Sequence, residues 1–216
     1  MEACVAKGIK RLVYSSSASV YGDAVEEPMT EDHPFNNKNF YGATKICGEA
    51  MARAYHFRYG LDYVGLRYMN VYGPNAGFGL VDSVLKRIAS GQAPQINGDG
   101  SQSFDFVYVD DVAGATVRAM ETDISDEAFN VGSGEEKTVK DVTLALLELT
   151  GVGLEPEFRD VQVPMVRRVG SSEKAARLLG WQATVPLAEG LRTLARGEFR
   201  EVSSQRADGC VFPSMG

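Results

Sequence analysis

Helical periodicity alternating with short apolar runs predicts an α/β chain. Two further observations make it the C-terminal part of a doubly wound parallel sheet joined to a smaller mixed α/β region. The first helical stretch starts at Met1 without a capping residue. Only two central strands, Arg11–Tyr14 and Leu61–Arg67, precede the mixed part, whereas such sheets usually have about five or more. The chain is therefore expected to be the second half of a larger fold.

Each element has its own signal. Met1–Lys10 carries Met1, Val5 and Ile9 at helical spacing, and the strand Arg11–Tyr14 follows almost at once. Turn formers fill Ser15–Pro34. Asn36 and Asn37 offer caps for a long helix over Phe40–Tyr59, which Gly60 ends before the strand Leu61–Arg67. The Gly/Pro/Asn-rich stretch Asn70–Gly79 predicts a loop leading to a helix that ends near Gly91. Gln95–Ile96 and Asp105–Val109 are short strands. Asp110 and Asp111 are expected as an acidic cap on a helix ending at Glu121, not as metal ligands. Glu127–Val131 is a strand. Val139–Thr150 is a helix whose stripe Val142, Leu146, Leu149 faces a core. Ser172–Leu179 and Leu187–Arg196 close the fold. Residues 201–216 lack periodicity and are expected to be a disordered tail.

Bulk properties exclude several classes. A hydrophobic content of 44% and a charged content of 24% are those of an ordinary globular protein. The net charge of −7 argues against binding nucleic acid or an anionic membrane, both of which need basic surface. No apolar stretch approaches the ~18 residues of a membrane helix, and no signal peptide opens the chain. Cys4, Cys47 and Cys210 form no C-x-x-C and cannot all pair, which fits a reducing, cytoplasmic location. His33 and His56 lack clustered partners, so no zinc site is expected.

The chemistry concentrates at Tyr41 and Lys45. Tyr-x-x-x-Lys on a helix puts a phenol and an ammonium one turn apart on the same face. A nearby cation favours a phenolate, so such a pair can transfer a proton near neutral pH. Ser15, Ser16 and Ser17 lie just upstream, and a hydroxyl in reach would complete a site that deprotonates an alcohol. Such a catalyst hands hydride to a nicotinamide. Yet the close glycine pairs Gly77/Gly79, Gly98/Gly100, Gly132/Gly134 and Gly151/Gly153 do not extend into the dinucleotide fingerprint.

Several segments, in order, carry a family resemblance: KRLVYSSSASVYG, YGATKICGEAMARAY, LRYMNVYGP, GDGSQSFDFVYVDDVA, FNVGSG and LGWQATVPLAEGL. With them the chain resembles the extended short-chain dehydrogenases/reductases, in particular NAD-dependent nucleotide-sugar epimerases of the UDP-glucose 4-epimerase type. The resemblance implies that residues 1–72 are the remaining half of an NAD-binding Rossmann domain. Residues 73–200 would be mainly a substrate-binding domain, interleaved with late Rossmann elements. It implies Tyr41 as general base, Lys45 on the nicotinamide ribose, and Ser17 on the reacting sugar hydroxyl. Ser15, Ser16, Tyr68 and Met69 would line the cofactor, and Asn70 would touch the diphosphate of a UDP-sugar. It also implies a possible homodimer through the Tyr/Lys helix.

The resemblance has gaps. Dehydratases of this family place an acid after the serine, whereas Ala18 and Ser19 follow Ser17 here, which favours simple epimerisation at C4. Phe104 stands where the family often has an arginine for the phosphates, and Arg167 or Arg168 is the expected substitute. Without the glycine turn, this polypeptide alone is expected to bind NAD poorly. A dehydratase or reductase, or a non-catalytic relic or binding module, are the alternatives.

Overall fold

The computed structural model describes residues 1–162 and 166–208. In chain order it contains α1 (Glu2–Ala6), β1 (Arg11–Ser17), a 3-10 turn (Ala18–Val20), α2 (Phe40–Tyr59), β2 (Asp62–Tyr68), β3 (Asn70–Tyr72), α3 (Leu80–Ala89) and β4 (Gln95–Asn97). Then come β5 (Ser103–Tyr108), α4 (Val109–Glu121), β6 (Glu127–Val131), β7 (Glu136–Thr138), α5 (Val139–Thr150), β8 (Glu157–Arg159), β9 (Arg167–Arg168), α6 (Glu173–Leu179) and α7 (Leu187–Asp208).

The chain divides into two compact units. One gathers Met1–Val71, Gln102–Lys137 and Met165–Val185; the other gathers Tyr72–Ser101, Thr138–Pro164 and Pro186–Gly216. The first unit is built on a parallel sheet in the order β1-β2-β6. Strand alternation sorts its two faces. Val64 and Leu66 join the core with Val112, Ala115 and Ala119 of α4 and Ala175 and Leu179 of α6. Gly65 and Arg67, pointing the other way, meet Glu49 of α2. Covered on both faces, β2 is buried along nearly its whole length.

The second unit buries Val81, Val84, Leu85 and Ile88 of α3, Val142, Leu146 and Leu147 of α5, and Leu191 and Ala195 of α7. Beside these helices β4 and β8 pair in parallel. Gly190 lets α7 approach Tyr72, because a methyl group there would overlap the phenol ring. Thr138 and Asp141 form a reciprocal capping box that starts α5, a signal unused in the sequence expectations. The expected stripe is displaced, with Leu147 buried and Leu149 only half-buried.

Several boundaries differ for nameable reasons. α1 stops at Ala6 because Gly8 turns left-handed, with φ of +66°, and Ile9 is exposed. The serines expected in a loop extend β1 to Ser17, since their backbones continue the register with Leu66, Arg67 and Tyr68. Asn39, not Asn36 or Asn37, caps α2 by accepting from the Gly42 amide at 2.8 Å. Neither Asp110 nor Asp111 caps α4. Asp111 instead accepts from the Thr184 amide and hydroxyl and the Val185 amide, at 3.0, 2.7 and 3.0 Å. α7, expected to end near Arg196, runs to Asp208, and the rest of the expected tail, residues 209–216, lies outside the described residues.

Leu146 is fully buried between the helices of the second unit. Leu146→Ala should lower the unfolding free energy by about 2–5 kcal/mol, the usual cost of a cavity in a packed core. Urea denaturation, with the slope held common, measures it; a loss under about 1 kcal/mol would mean that the site collapses around the alanine.

Candidate active site

α2 begins against the end of β1, and its first turn explains how. A methyl group at Gly42 would run into the Asn37 side chain and the Ser19 carbonyl, so the glycine brings the helix onto the turn that follows Ser17. Tyr41 stands in this first turn with 56% of its surface exposed. Lys45, one turn on, donates from Nζ to the Ser15 carbonyl at 2.9 Å. The same ammonium lies 5.4 Å from the Tyr41 ring centroid and 5.7 Å from that of Tyr14. Tyr14 packs on Gly48, whose missing side chain leaves room for the phenol. Burial, followed by the Glu49 charge, raises the Tyr14 pKa above the ordinary tyrosine value. Tyr14 therefore stays protonated and acts as a wall. The solvent-facing phenol beside the ammonium is Tyr41.

The three serines serve three different purposes. The Ser15 hydroxyl lies 3.4 Å from Tyr68 Oη, which is itself 3.2 Å from Thr116 Oγ1 on α4. The Ser16 hydroxyl donates to Glu49 Oε1 at 2.5 Å and is buried. Its side chain, expected near a cofactor, is thus committed to the interior. Ser17 caps the 3-10 turn, accepting from the Ser19 amide at 3.2 Å and donating to the Ser19 hydroxyl at 3.1 Å. The structure thus gathers Tyr41, Lys45 and the Ser15 carbonyl, with the Ser15 and Tyr68 hydroxyls on the α4 side of the sheet.

The residues expected to meet substrate form a second group in the same unit. Met69 is buried between Gly132 and Gly170, where added methyl groups would collide with it. Asn70 donates to the Asp105 carbonyl at 3.4 Å. Phe104 on β5 lies directly opposite Arg168 on β9 in a parallel register. The structure separates the two candidate arginines. Arg167 is fully engaged: Nε and Nη2 donate to the two Glu136 oxygens at 2.7 and 2.6 Å, and Nη1 pairs with Glu27. Arg168 is half-buried, and its Nε is enclosed without a hydrogen-bond partner among the described residues. Burial lowers its pKa, with Asp23 opposing that shift.

Sequence reasoning missed Asp105, Glu49, Arg67 and Tyr14. Asp105 is wholly buried and accepts from the Ser133 amide and hydroxyl, both at 2.7 Å, and from the Gly134 amide at 3.0 Å. Burial raises its pKa against the pull of these donors. It holds the glycine turn after β6 against β5. Glu49 could have been found, because it continues the spacing of four from Tyr41 through Lys45.

An exposed phenol and an ammonium at the carboxyl end of a parallel strand stand where doubly wound sheets place their chemistry. Residues 1–132 match the NAD dependent epimerase/dehydratase family. The chain belongs to that family. It is 37% identical over 196 residues to UDP-glucose 4-epimerase of Mycolicibacterium smegmatis, covering 88% of this chain and 63% of that one. Among solved structures it resembles UDP-glucose 4-epimerase of Thermotoga maritima with UDP-glucose. That match has a TM-score of 0.87 at 34% identity, covering 94% of this chain and 67% of the other. The UDP-glucose 4-epimerase of Thermus thermophilus in complex with NAD matches with a TM-score of 0.81 at 33% identity, covering 92% and 67%. The chain thus spans under two thirds of the Mycolicibacterium relative's length. Among the described residues no helix is long and apolar enough to cross a membrane, and no group of His, Cys, Asp and Glu could hold a metal ion.

The Arg167 latch has a pH signature. Hydrogen bonds from Arg167, then from Ser103, lower the Glu136 pKa from 4.5 to about 2. A depressed carboxylate stabilises the fold above its unfolded pKa, and this contribution disappears as pH falls through the folded value. Glu136→Gln should therefore lower the thermal midpoint at neutral pH. Its deficit against the parent should shrink as pH falls from 4.5 to about 2. Calorimetry across that window checks it, and a deficit independent of pH would refute the latch.

Proposed function

We propose that this chain carries the proton-transfer and sugar-binding parts of a UDP-sugar 4-epimerase. The reaction oxidises the C4 hydroxyl to a ketone and restores it with the opposite configuration. The observation carrying this reading is Lys45, tied to the Ser15 carbonyl and set beside an exposed Tyr41.

Tyr41 accepts the proton of the C4 hydroxyl and later returns it, with Lys45 supplying the positive charge that a phenolate needs. Ser17, at the end of β1, can turn its hydroxyl from Ser19 to the sugar oxygen. NAD, when bound, would supply the hydride acceptor and donor for the sugar carbon. The residues present fit its nicotinamide end, with Lys45 and Tyr41 at the strand ends and the Ser15–Ser16 backbone beside them. A fingerprint for the pyrophosphate is not among the 216 residues. Epimerisation is favoured over elimination because Ala18 and Ser19 follow Ser17, leaving no carboxyl group there to move a proton next to the ketone.

For the diphosphate, the Nε of Arg168, without a partner among the described residues, supports a role that Arg167, locked by two carboxylates, does not share. A charge-assisted hydrogen bond contributes roughly 1.5–3 kcal/mol, enough for one guanidinium to be felt in binding.

Two measurements test this reading, on the chain joined to the dinucleotide-binding half of a relative. Tyr41→Phe should reduce conversion of UDP-galactose to UDP-glucose by about 10²–10⁴, the usual contribution of a positioned acid–base group. Near-normal turnover would remove Tyr41 as the base. Arg168→Ala should raise KM for the UDP-sugar with little change in kcat, the mark of lost uniform binding. Arg167→Ala should instead lower the thermal midpoint. An unchanged KM in the Arg168 variant would place the diphosphate elsewhere.

A further inference from the structure

The helix that bears Tyr41 and Lys45 buries few of its residues fully, although Ile46 packs half-buried against the core and Tyr14 rests on Gly48. Of its twenty residues only Gly42, Glu49 and Ala52 are buried, and one of those is a carboxylate. Most helices in proteins owe their stability to an apolar face packed on a core. With so small an apolar face, α2 takes part of its position from polar contacts.

Tyr41, Lys45 and Glu49 follow one another at intervals of four and share a face. Lys45 reaches the Ser15 carbonyl of β1, and Glu49 accepts from the Ser16 hydroxyl, the next residue of the same strand. Both Glu49 oxygens also receive Arg67 of β2, from Nε at 3.0 Å and Nη2 at 2.7 Å. Ser16 and Arg67 are direct partners in the β1–β2 register, so one carboxylate ties the helix to two adjacent strands at the same level.

Arg67 is itself held. Its Nη1 donates to Tyr21 Oη at 3.0 Å and to the Glu31 carbonyl at 2.9 Å. Its guanidinium lies over the rings of Tyr21 and Phe35, at 5.2 and 4.9 Å. Tyr21 Oη in turn donates to Asn130 Oδ1 of β6 at 2.6 Å. Glu49 therefore meets a cation that has no freedom to follow it.

We propose that the Glu49–Arg67 pair is a positioning device for the proton-transfer pair, fixing the height and rotation of α2 so that the Lys45 ammonium stays on the Ser15 carbonyl beside Tyr41. The role assigned to that pair rests on the function proposed above; the geometric coupling of Glu49 and Arg67 to Lys45 does not. The alternative is a pair that only stabilises the fold. The two differ in what happens when both charges are removed together. Replacing a buried ion pair by apolar residues of similar volume is often neutral or stabilising, whereas removing one partner strands a buried charge. Glu49→Met/Arg67→Met should keep the fold and lose the positioning.

The readout is the ammonium signal of Lys45 in nitrogen-15 NMR spectra of the full chain, assigned by its disappearance in Lys45→Met. Thermal midpoints are measured in parallel. In the unaltered chain the ammonium held on the Ser15 carbonyl is expected to exchange its protons more slowly than a free lysine does. In the folded double variant their exchange should accelerate by about tenfold or more, the factor that one charge-assisted hydrogen bond represents. A double variant that keeps its midpoint and its slow Lys45 exchange would overturn the proposal. Arg67→Lys, which keeps the charge but loses the fork on Glu49, decides the matter if the double variant does not fold. Faster exchange there supports the proposal, and unchanged exchange overturns it. No cofactor or sugar is needed, so a chain inactive towards UDP-sugars would count against the proposed function and leave this result standing.

Discussion

The parallel register of β1 on β2, from Arg11 opposite Asp62 to Ser17 opposite Tyr68, is the constraint on which the rest of the first unit depends. Side chains alternate along a strand, so this register decides which residues share a face. It directs Tyr14, Ser16 and Arg67 towards α2, and Val13, Val64 and Leu66 towards the core beneath α4. A slip of one residue would turn Arg67 into the layer that contains Val64, Leu66 and Phe129. An unpaired guanidinium in that layer would cost far more than any single strand hydrogen bond returns. In the observed register burial opposes the Arg67 charge, but the Glu49 carboxylate and Tyr21 outweigh it and hold the pKa above the ordinary arginine value.

Glycine completes what the register begins. Gly48 on α2 admits the Tyr14 phenol, because a methyl group there would overlap the ring. The helix can therefore lie close to the sheet without the bulky interdigitation that normally fixes such a contact. This is why a polar clamp can set its height. The close approach also brings a lysine side chain within reach of a strand carbonyl. Lys45 then lies between two aromatic rings with one backbone acceptor.

What was legible in the sequence was local. The bounds of α2 at Phe40 and Tyr59 and of α5 at Val139 and Thr150 follow from periodicity and a terminal glycine, and β6 from a short apolar run. Tyr41 and Lys45 share a face by helical geometry alone. What was not legible depends on partners far along the chain. Serines are weak strand formers, and Ser15–Ser17 are extended because residues 66–68 pair with them. Asp111 looked like a cap because its true partners, Thr184 and Val185, lie more than seventy residues away. β3, β7, β8 and β9 are two or three residues each and exist only through their pairing. The spacing that places Glu49 on the face of Tyr41 and Lys45 is legible, but its partners Ser16 and Arg67 come together only in the folded sheet.

The two arginines show the same limit at its sharpest. Arg167 and Arg168 are identical neighbours, and no local pattern tells them apart. Strand alternation sends their side chains to opposite sides of β9. One meets Glu27 and Glu136; the other lies in register with Phe104, its Nε enclosed without a partner among the described residues. The chain carries 29 acidic against 22 basic residues, so it has no general attraction for an anion and must hold one with specific cations. An exposed arginine already neutralised by two carboxylates would have to give them up to take a phosphate. A desolvated one with an open donor would lose nothing and would recover the solvation that burial removed. That asymmetry favours Arg168 as the anion contact and Arg167 as a latch, even though both were equally available to the sequence.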